Sequence, residues 1–184
     1  IQSARMQVYF IDNEEYFQRK HLFTDANDNH FEDNDERSLF FCKGVIETVK
    51  KLGWAPDIIH CHGWMTSLIP FYLKTVYKND PVFKNSKVIF SIYDKVLDSS
   101  FSDDFFKKAA INSLKSDQLS AFKNGDGISL HKGAIQFADG LIQGSPTIDQ
   151  NLLSAIEALK KPFIQTPEED FLQTYIDFYK TILA

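Results

Sequence analysis

Apolar and polar positions along this chain follow two rhythms, and the rhythm switches repeatedly. Residues 6–11, MQVYFI, are a short β-rich run closed by Asp12 and Asn13, which predicts a strand. Residues 20–32 are polar and rich in Asp and Asn, a loop. From Asp33 the spacing becomes helical, with Leu39, Phe40, Val45, Ile46, Val49 and Leu52 on one apolar stripe. Asp33 or Asn34 can cap this helix. Acidic residues fill its first turn, Lys50 and Lys51 its last, and Gly53 stops it. Pro56 keeps the next segment out of a helix, and residues 57–61 read as a buried strand. A helix follows over 65–77 despite Pro70, then a strand over 87–93 and a broken helix over 102–123. After a turn at 124–127 come a helix over 128–138, a strand over 140–143, a helix over 148–160 and a short strand at 163–164. The clearest helix is the last, 167–183. Thr166 is its expected cap, Pro167 its first residue, and Glu169 completes a capping box. Phe171, Tyr175, Phe178, Tyr179 and Ile182 share its apolar face.

Strands alternating with helices predict a Rossmann-like α/β fold, a parallel sheet with helices on both faces, in a single domain over 1–184. No glycine-rich, phosphate-holding turn follows the first strand, so the opening βα unit of such a fold is expected to be missing. Composition narrows the picture. Net charge is −5 with no basic block, which argues against nucleic acid or an anionic membrane surface as partner. No apolar run approaches the roughly 20 residues needed to span a bilayer. Two cysteines, Cys42 and Cys61, make no disulfide framework, and a reducing, cytoplasmic setting is the expectation. The 17 phenylalanines read as core.

Two stretches carry candidate chemistry. His60, Cys61, His62 and Trp64 stand where a strand hands over to a helix, and ligands of open parallel sheets bind beyond strand carboxyl ends. Three readings stay open there: a His-x-His metal site whose third ligand is not evident, histidines satisfied within the core, and an imidazole facing a polar ligand. The second stretch, EDNDERSLFF, places Asp33, Asn34 and Arg37 at a helix start, which capping and surface ion pairing also explain. No nucleophile elbow, Walker motif or G-x-G-x-x-G is present.

VYFIDNEEYFQRK, then EDNDERSLFFCKGVIE and WAPDIIHCHGWMTSLIP, resemble the N-terminal domain of bacterial glycogen synthases and plant starch synthases, the ADP-glucose type with the GT-B fold. The likeness is strong over residues 7–93 and traceable to about 147. The family's D-N-x-x-R-F stands here as DNDERS, which gives Asp33 a place at the reaction cleft beside Asn34 and Arg37. Its H-x-H-D-W-H stands as HCHGWM. His62 then matches the histidine lining the transferred glucose, with Trp64 beside it, while Gly63 and Met65 depart from the pattern. Its T-I-H-N stands as SIYD, with Tyr93 at the histidine's place. A later motif is echoed by Leu130 to Ala134, Ala138-Asp139 and Ser145-Pro146-Thr147. The K-x-G-G-L diphosphate loop and the donor-binding domain do not occur in these 184 residues.

The resemblance implies transfer of glucose from ADP-glucose to an α-1,4-glucan, without a cofactor. Asp33 and His62 are the implied catalytic residues, and Asn34, Arg37, Trp64 and Tyr93 the implied substrate contacts. The chain alone is expected to be inactive, with a separate chain as one possible source of the donor half, and the last helix is expected to dock back on the domain as the closing GT-B helix does. Two other functions remain open: a non-catalytic module binding glucan or a partner, and a metal-dependent hydrolase built on His60 and His62.

Overall fold

Pro56 ends the approach to the sheet, and the apolar run behind it forms β1 (Ile58–His62). The computed structural model describes residues 6–94, 97, 100–112, 114–166 and 170–184. β1 lies beside β2 (Lys87–Ile92), β3 (Gly140–Gln143) and β4 (Phe163–Gln165) in that order, every pair parallel. Side chains alternate across the sheet. One face presents Cys61, Val88, Phe90, Ile92 and Leu141 to the main core. The other presents Ile89 and Ile142 to a smaller cluster. The α/β fold expected from the alternating pattern is therefore the one observed.

Helices α1 (Glu14–Phe17) and α2 (Asn34–Leu52) precede the sheet. Next come α3 (Leu68–Lys74), α4 (Asp103–Ala109), α5 (Gly127–Phe137), α6 (Gln150–Leu159) and α7 (Phe171–Leu183). Pro70 is the third residue of α3, where a backbone N–H has no intrahelical acceptor, so the ring costs nothing there. The expected helix over 65–77 is thus a 3₁₀ turn, Trp64–Thr66, followed by α3. Asp126 caps α5 by accepting from Ser129 N at 2.7 Å. The far end of α5 is closed by Lys161, whose Nζ donates to the carbonyls of Ile135, Gln136 and Ala138 at 3.0, 2.6 and 2.6 Å. Asp139 ties the same corner to β2 and α3, accepting from Val88 N at 2.7 Å and Lys74 Nζ at 2.6 Å.

Two expectations change. Residues 6–11 form no strand, and Phe10 is 87% exposed. A strand persists only with a ladder partner, and β1, the edge strand nearest in sequence, pairs with β2 alone among the described residues. The last helix starts at Phe171, after Asp170, rather than at 167. Thr166 is not its cap: its N–H donates to Gln143 O and its hydroxyl meets Tyr175 Oη at 2.8 Å. The proposed Pro167 start and Glu169 capping box lie outside the described residues. Helix α7 packs Phe178 and Ile182 against Ile89 and Ile142, with Tyr175 and Tyr179 beside them, while Phe171 is half exposed. Gly140 allows this approach, since a Cβ there would stand 2.7 Å from Ile182 Cδ1.

Candidate functional site

The N-terminal half of α2 is fastened to the turn after β1. Ser38 Oγ and Cys42 Sγ both donate to Met65 O, at 3.1 and 3.2 Å. Because α2 runs into β1 through a short connection, its N-terminus comes back to the strand's carboxyl end. Asp33 and His62 therefore share one end of the sheet. Asp33 is half-buried and held by Arg19, whose NH1 donates to Oδ1 at 2.7 Å and whose NH2 donates to Oδ2. That pairing keeps the Asp33 carboxyl below the usual carboxylate range.

Arg37 is enclosed and bonded within the fold. It is 1% exposed, and Nε donates to Tyr16 O at 2.8 Å, NH1 to Asn34 Oδ1 at 2.6 Å and NH2 to Leu22 O at 2.7 Å. Asn34 in turn donates to Phe23 O at 2.9 Å. The guanidinium lies 5.6 Å from the Phe17 ring and 5.3 Å from the Phe31 ring. Arg37 and Asn34 thus clasp the loop between α1 and α2. Trp64 is enclosed likewise. It is 3% exposed, tilted against Phe23 at 4.8 Å and edge-on to Phe101 at 6.0 Å, a core anchor for the turn.

The exposed polar groups come from the strand ends. β1 alternates, so His60 and His62 share the face opposite Cys61. Gly63 then takes φ 70°, a conformation that disfavours an L side chain, where the family motif carries Asp. Thr66 Oγ1 donates back to the carbonyls of His62 and Gly63 at 3.1 and 3.0 Å, closing the turn. His62 Nδ1 meets Tyr93 Oη at 2.9 Å, and its ring lies 4.0 Å from that of His60 at an interplanar angle of 32°. His60 is enclosed, with Nδ1 on Tyr179 Oη and Nε2 on Ser91 Oγ, both at 2.7 Å. Burial, helped by the neighbouring His62, lowers its pKa to about 4, and burial lowers that of His62 too. Beyond β3, Ser145 Oγ donates to Asp94 Oδ1 at 3.0 Å and accepts from Asp94 N at 3.1 Å, joining the loops after β2 and β3.

Of the expected residues, the structure brings His62 and Tyr93 together and places Asp33 at the same end, without making it part of the cavity beside the histidines. That cavity, about 530 Å³, is apolar, walled by Phe17, Phe41, Val45, Ile59 and Met65 together with His60 and His62. Both His60 nitrogens are engaged, so the pair cannot offer two free nitrogens to one ion. Among the described residues no group of three His, Cys, Asp or Glu side chains could hold a metal. Sequence reasoning missed Ser91 and Tyr179. The first opens the SIYD stretch near the end of β2, where only Tyr93 was singled out, and the second lies 119 residues from its partner.

A parallel α/β sheet with polar side chains gathered beyond its strand carboxyl ends defines an α/β domain of the Rossmann-like class. The chain belongs to the starch synthase catalytic domain family, whose family model matches residues 1–161. It is 36% identical over 159 residues to the glycogen synthase of Elusimicrobium minutum, covering 83% of this chain and 32% of that protein. Against the glycogen synthase of Chlorobium limicola it is 36% identical over 138 residues, 74% of this chain and 28% of that one. Over 93 residues it reaches 50% identity with the glycogen synthase of Chlorobium luteolum, 50% of this chain and 19% of that one. The fold is shared with the catalytic domain of starch synthase IV from Arabidopsis thaliana, solved bound to ADP and acarbose. The TM-score is 0.61 at 20% identity, covering 83% of this chain and 32% of that one. The chain thus spans about a third or less of the length of these relatives. No helix among the described residues is long and apolar enough to cross a membrane.

Proposed function

We propose that this chain is the sugar-facing part of a glucosyltransferase of the glycogen synthase type, whose whole-protein activity moves glucose from ADP-glucose to an α-1,4-glucan. The observation that supports it most is the exposed His62 at the end of β1, in the HCHGWM stretch that matches the family motif, its ring fixed by Tyr93 and backed by His60. A retaining transfer passes through an oxocarbenium-like state while the diphosphate departs. Stabilising that departure needs cations or amide donors aimed at the phosphates. Among the described residues the strand ends carry imidazoles, hydroxyls and the Asp94 carboxylate, while the guanidiniums of Arg19 and Arg37 are committed to Asp33 and to backbone carbonyls. This part of the enzyme therefore holds sugar, and the phosphate side is supplied from outside these residues, by further sequence or by a second chain. Asp33, paired and ionised, stands by at the same end as an electrostatic partner for the developing positive charge.

Calorimetric titration of the pure chain with maltoheptaose tests the reading. The expected result is weak binding, with a dissociation constant on the order of 1 mM. His62→Ala should weaken it several-fold at an unchanged melting temperature. Absence of binding, or equal affinity in the variant, would contradict the assignment. A non-catalytic glucan-binding module is the second reading, favoured by Gly63 and Met65 standing where the family motif has Asp and His. Restoring transfer by adding a donor-binding half separates the two, since a mere binding module gains no turnover.

A further inference from the structure

Helix α7 does more than cover the sheet's second face, because it ends a chain of polar contacts that reaches His62. Tyr179 Oη lies 2.7 Å from His60 Nδ1, and Ser91 Oγ lies 2.7 Å from His60 Nε2. The Tyr179 ring stands edge-on to His60, at 5.7 Å and 84°, and Tyr175 packs at 5.9 Å. His60 in turn lies tilted against His62, their ring centroids 4.0 Å apart at an interplanar angle of 32°. On its far side, His62 is held by Tyr93 alone among the described residues, through Nδ1 at 2.9 Å, so Nε2 is left for a ligand.

We propose that Tyr179 is a positioning residue for His62: by fixing the tautomer and plane of His60 it sets the wall against which His62 stacks, and so aims His62 Nε2 beyond the strand ends.

A neutral imidazole has one N–H and one lone pair, so its two contacts must be of opposite sense. A phenol is a better donor than an aliphatic hydroxyl. Tyr179 therefore donates to Nδ1, and His60 carries its proton on Nε2, which donates to Ser91. Burial keeps Tyr179 protonated and His60 neutral, so this polarity holds across the neutral pH range. The groups that face His60 from the elements packed on it are His62 from β1, Ser91 from β2, and Tyr175 and Tyr179 from α7; none is a carboxylate, an ammonium or a guanidinium. The packing of α7 rests on Phe178 and Ile182, which the hydroxyl of Tyr179 does not serve. Removing that oxygen alone should thus disturb the histidines without detaching the helix. The idea rests on the sugar-facing reading of His62, for the sugars a free imidazole nitrogen would bond.

The test is Tyr179→Phe in the full chain, followed by ¹⁵N NMR of the histidine rings and by maltoheptaose titration. The wild type should show His60 as a single Nε2–H tautomer. The variant should show a tautomer mixture and a His62 titration midpoint moved by about half a pH unit or more. Its maltoheptaose affinity should fall about three-fold or more, at a melting temperature close to that of the wild type. Unchanged tautomer and midpoint in the variant would overturn the positioning role, whatever the sugar does. Failure of the wild type itself to bind maltoheptaose would overturn the sugar-facing reading instead, and would be visible without the variant. Should Tyr179→Phe prove unstable, Ser91→Ala provides the second arm, since it removes the acceptor at the other end of the same imidazole. With Tyr179 still donating to Nδ1 there, the Nε2–H tautomer should persist, and its loss would assign the tautomer to Ser91 and contradict the scheme.

Discussion

Arg37 uses its guanidinium as a clasp, and the consequence is measurable. Three acceptors, Tyr16 O, Leu22 O and Asn34 Oδ1, depend on it at a position closed to water. Arg37→Met should cost about 3 kcal/mol or more in urea unfolding, because each acceptor loses a charge-assisted bond. Arg37→Lys should rescue little, since an ammonium cannot reach three acceptors set for a planar fork. A loss under 1 kcal/mol in Arg37→Met would contradict the clasp. The histidines make a second prediction. His60 and His131 are both lowered to about 4 by burial, His131 with Nδ1 on Gly127 O at 2.8 Å. In the unfolded chain each titrates near 6.5. Between these values the unfolded state binds more protons, so stability is full above about pH 6.5 and falls as pH drops toward 4. Denaturation midpoints at pH 7 and pH 5 should differ clearly, and a flat profile would contradict the burial. His62 was readable in sequence as a strand-end histidine, whereas the roles of Arg37 and Trp64 were not. A motif fixes which residues occur together, but burial depends on what the loop after α1 and the Phe101 segment bring against them.

At the scale of elements, α7 is the piece whose start was misplaced and whose apolar face was nevertheless legible. Spacings of three and four put Phe178 and Ile182 on one side, and those are the two that the sheet buries. The start was not legible because Thr166, a good cap by type, continues instead from β4 into a bond with Gln143 O. The run at 6–11 failed for a related reason: β propensity marks a segment fit for a sheet, but pairing depends on an available neighbour. Gly140 gives the element-scale test. A Cβ there would fall 2.7 Å from Ile182 Cδ1 and 3.0 Å from Phe178 Cζ. Gly140→Ala should therefore destabilise by about 1–3 kcal/mol and raise amide exchange selectively along α7. Loss of stability without faster exchange in α7 would place the strain elsewhere.

Across the whole molecule, the sheet collects one end of three strands into a polar rim: His62 ending β1, Tyr93 and Asp94 after β2, Ser145 after β3. The alternation of elements made the parallel sheet legible, and the family motifs marked the rim, but the bonds from α7 to His60 join residues far apart in sequence and carry no local signal. No K-x-G-G-L motif occurs in the 184 residues, so the pure chain should transfer no glucose from ADP-glucose to glycogen; steady incorporation of labelled glucose would refute the proposed division between sugar and phosphate sides. The central claim is that the rim is where glucan meets this chain. Backbone amide shifts followed during maltoheptaose titration test it most directly. The account predicts the largest changes at Gly63, Tyr93 and Ser145, with the amides around Phe17 and Phe41 unmoved. Changes centred on the apolar cavity beside Phe41, or scattered over the surface with none at Gly63 and Tyr93, would contradict it.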